Sequence, residues 1–178
     1  MIRGRFSKMF KYIALFVFVA VAQASTNVQT CRVFTGALPS ATTIEGCRNP
    51  PCNLPQGRNA VIHMSFNAPR NINSMRTLAT AFLGNVGVPY SLGNNEVTCN
   101  FITNTRCPLR GGQQVHYTLR MFIERSFPVG TSTTVEFRIV DQQNQPVVCV
   151  RVPIRITASR ELDYVPQIDE NVQIEETK

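Results

Sequence analysis

A nearly unbroken alternation that follows two closely spaced cysteines constrains this chain more than any other feature. After Cys99, Cys107 and a Gly-Gly turn, apolar side chains take every second position from Val115 to Ile123, and polar ones fill the gaps except at Phe122. A period of two places one set of side chains on a buried face of a β-strand and the other set in water. We therefore predict a strand here, with the cysteine pair fixing where it starts.

Shorter runs of the same kind predict the remaining strands. They are separated by turn residues at intervals typical of all-β domains. The segments are Gln29–Thr35, Ala41–Glu45, 60–66, 133–139 and 147–156. Short strands at this spacing predict a sandwich of two antiparallel β-sheets.

Three local features are less clear from the pattern. Met75–Leu83 has apolar residues at helical spacing but also at strand parity, and the all-β surroundings favour a strand. Gly84, Gly87 and Pro89 predict a bend that leads into residues 90–92. Pro153 predicts an edge strand or a bulge, because proline cannot donate to a sheet ladder.

The N-terminus has the pattern of a secretory signal peptide. Four basic residues precede the apolar run Tyr12–Ala22, and Ala22-Gln23-Ala24 has the small-x-small form of a cleavage site. An uncleaved anchor is the alternative, but the run is too short to span a bilayer. We expect residues 1–24 to be removed and the protein to be secreted to the extracellular space or to a lysosomal or endosomal lumen.

The rest of the chain divides into a body and an acidic tail. Residues 25–160 are long enough for one domain with a real core, and carry 13 arginines against five acidic residues. Residues 161–178 contain six acids and one lysine, so we expect a solvated, disordered tail.

An arginine-rich body favours an anionic membrane surface or head group as a partner. The secretory route and the lack of a binding motif argue against nucleic acid.

Six cysteines in an exported chain indicate three disulfides. Cys47 and Cys52 enclose a turn with two prolines, and Cys99 and Cys107 enclose a short polar loop. If both pairs close locally, Cys31 is left to pair with Cys149. No cysteine then remains as a nucleophile or a metal ligand.

Motifs for catalysis are missing from the sequence. The only histidines, His63 and His116, lie at predicted strand positions and are too few for a zinc site. No nucleophile elbow, phosphate loop or metalloprotease motif occurs, and Glu124 and Glu136 are predicted to be surface charges. We expect no enzyme activity, no cofactor and no metal.

Several spaced motifs together resemble the ML lipid-recognition family. This family includes the soluble Niemann-Pick type C sterol carrier (epididymal secretory protein), a lipid-A-binding partner of an innate immune receptor and the group-two mite allergens. The similarity covers about residues 30–157, includes all six cysteines and is greatest to the arthropod branch. The motifs are Cys31, Gly46–Leu54 (GCRNPPCNL), Gly87-Val88-Pro89, Cys99 with Cys107-Pro108-Leu109, Tyr117, Phe127-Pro128, Val135-Glu136-Phe137 with Asp141, and Cys149–Ile154 (CVRVPI).

The resemblance implies an immunoglobulin-like β-sandwich whose two sheets enclose an apolar ligand cavity. It also implies the pairs Cys31–Cys149, Cys47–Cys52 and Cys99–Cys107. Inward strand positions would line the pocket, and the family's sterol carrier has tryptophans at the positions of Phe137 and Val150. The implied pocket residues are Ile62, Met64, Phe66, Tyr90, Leu92, Ile123, Phe127, Pro128, Val135, Phe137 and Val150.

The function implied is that of a secreted protein that binds and transports a sterol, fatty acid or related lipid. The alternative is innate-immune recognition of microbial, lipid A-like ligands through the cavity and an arginine-rich rim. A membrane sterol receptor is a further implied partner, and we expect a monomer.

Overall fold

The computed structural model describes residues 25–159, so the predicted signal peptide and acidic tail lie outside the described residues. Within them the chain forms eight strands and two short 3-10 helices, Gly93–Glu96 and Thr98–Phe101. The strands are β1 (Ala41–Ile44), β2 (Cys52–Pro55), β3 (Asn59–Asn67), β4 (Met75–Leu83), β5 (Val86–Tyr90), β6 (Gln114–Phe122), β7 (Ser132–Asp141) and β8 (Pro146–Thr157).

Two sheets form a sandwich, as the alternation predicts. One sheet has the order β1-β3-β6 and the other the order β2-β8-β7-β4-β5. Neighbouring strands are antiparallel except β2 and β8, which run parallel. The core lies between the sheets, where rows of apolar side chains meet across strands, such as Ile62 beside Leu119 and Phe137 beside Val150.

The strand alternative is confirmed for Met75–Leu83, which pairs with β5 on one side and β7 on the other. The predicted bend is confirmed at Gly84, between β4 and β5, but it is wrong at Gly87 and Pro89, because both residues belong to β5. An edge strand tolerates proline, since one side of its backbone has no partner strand. The hairpin between β4 and β5 turns at Gly84, whose φ of +62° suits the first position of a II′ turn.

Pro153 lies in β8, an interior strand, and is paired in register with Thr134 of β7, so neither the predicted edge strand nor the predicted bulge occurs at this position. The outer side of β8 is shared by two partners: Gln29 bridges to Arg151, and β2 pairs from Cys52 opposite Ile154 onward. Pro153 lies between the position paired with Gln29 and the first position paired with β2. Its missing N–H therefore interrupts no continuous ladder.

The predicted strand Gln29–Thr35 is also wrong. Residues 29–37, which we call the N-terminal strap, lie against the five-stranded sheet on its outer side with only isolated bridges. A buried carboxylate replaces a strand partner, because Glu136 accepts hydrogen bonds from the amides of Arg32 at 2.8 Å and Phe34 at 3.4 Å. The disulfide Cys31–Cys149 fixes the same segment.

Glu136 is therefore not a surface charge, contrary to the sequence prediction. Its side chain is fully buried, and its Oε1 lies 2.8 Å from Nη1 of Arg151. Burial alone would raise the pKa of Glu136, but the hydrogen bonds from the Arg32 amide and from Arg151 hold that pKa below its usual value.

All six cysteines are paired. The structure has the disulfides Cys31–Cys149, Cys47–Cys52 and Cys99–Cys107, which are the pairs that the resemblance implied. Within residues 25–159, no helix has the length and apolar character needed to cross a membrane.

Candidate functional site

The two sheets separate at one end of the sandwich and leave an apolar cavity between them. It has a volume of about 270 Å³, and we call it the interior cavity. The ends of β4, β6 and β8, the start of β7, the edge strand β5 and the loop between β6 and β7 enclose it. The lining residues are Ala81, Leu83, Val88, Pro89, Tyr90, Met121, Ile123, Phe127, Pro128, Thr131, Thr133, Val135, Ile154 and Ile156.

No lining side chain is charged. Two of the three lining hydroxyl groups are already used by the protein: Thr133 Oγ1 donates to the carbonyl oxygen of Phe82 at 2.6 Å, and the Tyr90 hydroxyl donates to that of Phe122 at 2.9 Å. A space of this size would hold several water molecules at about 30 Å³ each, yet a cavity with apolar walls favours an apolar occupant. The lining therefore suits hydrocarbon.

The cavity reaches the surface beside the β4–β5 hairpin. Leu83 is 58% exposed and Val88 is 46% exposed, although both line the cavity. Val86 in the hairpin and Val129 in the β6–β7 loop are also exposed. Four large apolar side chains in solvent next to one opening form an apolar rim.

Aromatic side chains narrow this opening. The rings of Tyr90 and Phe127 lie with centroids 5.9 Å apart and planes tilted by 58°. The Gln56 side chain donates hydrogen bonds to the carbonyl oxygens of Arg125 and Phe127, and so holds the β6–β7 loop in position. Partial burial, and to a lesser extent the charge of Glu124, raise the pKa of Tyr90.

The opposite end of the sandwich is closed by buried polar groups. Thr77 Oγ1 in β4 lies 2.8 Å from the Tyr117 hydroxyl in β6 and 2.7 Å from Thr98 Oγ1. These contacts join the two sheets through the core, and burial raises the pKa of Tyr117 to about 12. Buried hydrogen bonds therefore join the two sheets through the core at this end. At the cavity end, the hydrogen bond between Tyr90 and Phe122 joins them only at their edges.

Five of the eleven residues implied by the resemblance line the interior cavity: Tyr90, Ile123, Phe127, Pro128 and Val135. The other six lie in the packed core next to it and do not line the cavity: Ile62, Met64, Phe66, Leu92, Phe137 and Val150.

Further lining residues are absent from the set that the resemblance implies. Met121, Ile154 and Ile156 share the parity of residues already chosen on β6 and β8, so the alternation could have identified them. Ala81 and Leu83 were hidden by the helix–strand ambiguity of β4. Val88 lies in β5, between the two residues, Gly87 and Pro89, at which the sequence predicts a bend instead of a strand.

Metal-ligating side chains do not converge on this cavity. Cys31, Glu136 and Cys149 form a close group on the outer face, but both sulfur atoms belong to one disulfide. His63 lies on the exposed face of the three-stranded sheet, with Nε2 at 3.2 Å from Glu45 and Nδ1 at 3.0 Å from Thr118 Oγ1. No arginine is among the described residues that line the cavity.

A family model decides the classification. The model described as ML domain matches residues 25–156, which is nearly all of the described chain. The chain belongs to the ML domain family. In this ML domain the matched region contains both sheets, the three disulfides and every residue of the cavity lining.

Curated proteins that are similar to this ML domain include two that are named as NPC intracellular cholesterol transporter 2 or its homolog. The NPC intracellular cholesterol transporter 2 of Bos taurus is 20% identical over 147 residues, which cover 80% of this chain and 95% of that protein. The NPC intracellular cholesterol transporter 2 homolog a of Drosophila melanogaster is 25% identical over 145 residues, covering 80% and 93%.

One solved structure has the same fold. A Niemann-Pick type C2 protein from the Japanese carpenter ant superposes with a TM-score of 0.63 at 21% identity, over 73% of this chain and 98% of that one. The likeness at this identity concerns the fold.

Proposed function

We propose that this ML domain binds a lipid in the interior cavity and carries it through aqueous surroundings. The observation that supports this most directly is a cavity between the sheets with apolar walls, a mouth at the surface and an apolar rim. Similarity to proteins named as cholesterol transporters supports the same class of ligand.

The energetics of such binding rest on area removed from water. A ligand that buries about 300 Å² of apolar surface gains about 7 kcal/mol at ~25 cal/mol per Å². Loss of translational and rotational freedom removes part of that gain. A micromolar or somewhat tighter complex follows without any directional bond to the ligand.

The finer proposal is that the ligand is a sterol or a similar hydrophobic molecule. A volume of about 270 Å³ is near the lower end of small-molecule sites, which begin at about 300 Å³. A rigid sterol would therefore need the sheets to move apart at the mouth, whereas a single acyl chain would need less opening. That movement should cost the least free energy beside Tyr90 and Phe127. At the opposite end, the hydrogen bond between Thr77 and Tyr117 holds the two sheets together.

The function proposed is binding and transport, not catalysis. No nucleophile–base pair and no pair of carboxylates is among the described residues that line the cavity. Recognition of a lipid A-like ligand is a less supported alternative, since the described lining has no arginine to pair with its phosphates.

The test is a titration of the purified protein with a fluorescent sterol and with a fluorescent fatty acid. Saturable binding of at least one at equimolar stoichiometry is expected. Val135→Phe should fill the cavity and weaken binding, whereas Thr134→Val, one residue away on the outer face of the same strand, should not. Failure of both lipids to bind a folded protein would exclude the proposed function.

A further inference from the structure

The outer face of the five-stranded sheet has a second concavity of about 620 Å³, which we call the outer groove. Edge strand β5 separates the outer groove from the interior cavity. Val88 on this strand lines the cavity, and its neighbour Gly87 lines the groove. The two spaces are therefore on opposite faces of one sheet and can be occupied independently.

The groove is polar at one end and apolar at the other, as the strand register shows. Leu78 of β4 pairs with Arg138, and Val97 bridges to Arg76, so Arg138 and Glu96 lie at the same end. Phe82 pairs with Gly87 farther along β4 and forms the apolar end, where the Arg151 guanidinium lies 5.7 Å from the centre of the Phe82 ring. An amphipathic groove fits a ligand with a polar head and an apolar body.

Arg138, at the polar end, has no carboxylate partner among the described residues. Its guanidinium lies 4.0 Å from the centre of the Phe34 ring. Its Nε is buried without a hydrogen-bond partner, and no ion pair of Arg138 occurs within residues 25–159. Arg151 and Arg70, in contrast, each contact a buried carboxylate at 2.8 and 2.7 Å. The buried Nε cannot reach a ligand in the groove. The terminal nitrogens of Arg138 also have no hydrogen-bond or ion-pair partner within residues 25–159, and they are the donors that remain for a carboxylate or phosphate.

Glu96 supplies the opposite charge in the same groove. Its Oε1 accepts only long contacts, from Ser91 Oγ at 3.4 Å and from the Leu92 amide at 3.3 Å. Glu96 and Arg138 line one space without forming an ion pair with each other among the described contacts. Two separated opposite charges are complementary to a head group that carries both an anion and an ammonium.

The apolar end owes its depth to Gly87. A Cβ at this position would lie 3.0 Å from the Phe82 ring and 3.2 Å from Thr80 Cγ2. Thr80, only 8% exposed, forms the floor between them. A larger side chain at position 87 would fill the space where an apolar body would lie.

We propose that the outer groove binds a zwitterionic amphiphile, with its anion at Arg138, its ammonium at Glu96 and its apolar body over Phe82. Two sources have this chemistry: a lysolipid with a phosphoethanolamine head and a free amino acid with an apolar side chain. This site does not depend on whether the interior cavity carries a lipid.

The experiment is an NMR titration of the ¹⁵N-labelled full chain with short-chain lysophosphatidylethanolamine and, separately, with L-phenylalanine. Saturable shifts are expected at the Arg138 Nε–H and the Gly87 amide for at least one of them, and the tighter one identifies the source. Arg138→Gln should weaken binding about tenfold, the effect of losing one charge-assisted contact. Gly87→Val should block the groove.

Two controls distinguish binding in the outer groove from binding in the interior cavity, and recognition of both charges from recognition of the anion alone. Val135→Phe, which fills the interior cavity, should leave the groove shifts unchanged. Glu96→Gln should weaken the zwitterions but not decanoate, which has only the anion.

Three results would overturn the proposal. One is shifts confined to residues that line the interior cavity. Another is decanoate binding in the groove as tightly as both zwitterions. The third is no saturable shift with either zwitterion while the protein remains folded.

Discussion

The Tyr90 hydroxyl donates a 2.9 Å hydrogen bond to the carbonyl oxygen of Phe122, and this contact joins the margins of the two sheets beside the cavity mouth. Tyr90 is on β5 of the five-stranded sheet, and Phe122 ends β6 of the other sheet. The hydrogen bond is partly exposed, so its net contribution to stability is small, about 0.5–1.5 kcal/mol.

Removing that hydroxyl should change ligand exchange more than stability. In Tyr90→Phe we expect a fatty-acid probe to enter and leave the cavity faster in stopped-flow fluorescence, with the free energy of unfolding lowered by about 1 kcal/mol or less. Ser126→Ala, in the neighbouring β6–β7 loop, should leave the exchange rates unchanged. Equal rates in Tyr90→Phe and the unsubstituted protein would mean that the contact does not limit access.

The buried carboxylate of Glu136 should be essential for the N-terminal strap. Glu136→Ala leaves the Arg151 guanidinium without its partner and releases the amides of Arg32 and Phe34. We expect a loss of about 3–5 kcal/mol in urea unfolding and faster hydrogen exchange at those two amides. Glu124→Gln, at an exposed glutamate, should stay within about 0.5 kcal/mol. Unchanged exchange at the two amides would contradict the role of Glu136.

Asp141 should make the protein sensitive to acid. Burial would raise its pKa, but hydrogen bonds from the Gln145 amide, Arg70 and the Gln143 amide hold that pKa below its usual value. Because the folded-state pKa is depressed, the stabilisation is present above the unfolded pKa of about 3.9 and is lost as the pH falls through the folded-state pKa.

Asp141→Asn tests this directly. It should cost about 2 kcal/mol at pH 7, less than a fully buried pair, because Arg70 is partly exposed. The difference in the free energy of unfolding between Asp141→Asn and the unsubstituted protein should become smaller as the pH falls below the unfolded pKa of about 3.9. A difference that stays constant from pH 7 to 3 would show that the carboxylate charge is not the cause. Glu45→Gln is the exposed control.

Tyr117 should make the protein sensitive to alkali. Its pKa is raised to about 12, so its contribution to stability is complete below the unfolded pKa of about 10 and is lost as the pH rises through 12. Tyr117→Phe should remove that part of the alkaline loss, at a cost of about 1–2 kcal/mol at neutral pH. Tyr90→Phe should remove less of it. Identical alkaline transitions with and without the Tyr117 hydroxyl would refute the assignment.

Strands with one buried face were predictable from the sequence, because such strands alternate. The alternating run from Val115 to Ile123 corresponds to β6. Phe122 is the one apolar residue at an outward position of that run, and it is 44% exposed. The β4 segment was ambiguous because helical spacing and strand parity coincide in it, and only the sheet partners β5 and β7 resolve this.

The outer face of the five-stranded sheet was not predictable. Glu136 lies at a strand position whose side chain would normally face water. The local sequence does not indicate that a segment more than 100 residues earlier covers this side chain. The same segment resembles a strand in composition, but its amides contact a side chain. The cavity was only partly predictable, since parity separates inward from outward residues but does not indicate where the two sheets part.

The N-terminal strap depends on residues that are made last. The hydrogen bonds and the disulfide of residues 29–37 are with Glu136, Cys149 and Arg151, in the final two strands, and the disulfide joins positions 118 residues apart. During synthesis the first part of a domain emerges long before its end. The native Cys31–Cys149 disulfide therefore cannot form until nearly the whole domain has been synthesised, and its formation then links the N-terminal strap covalently to β8.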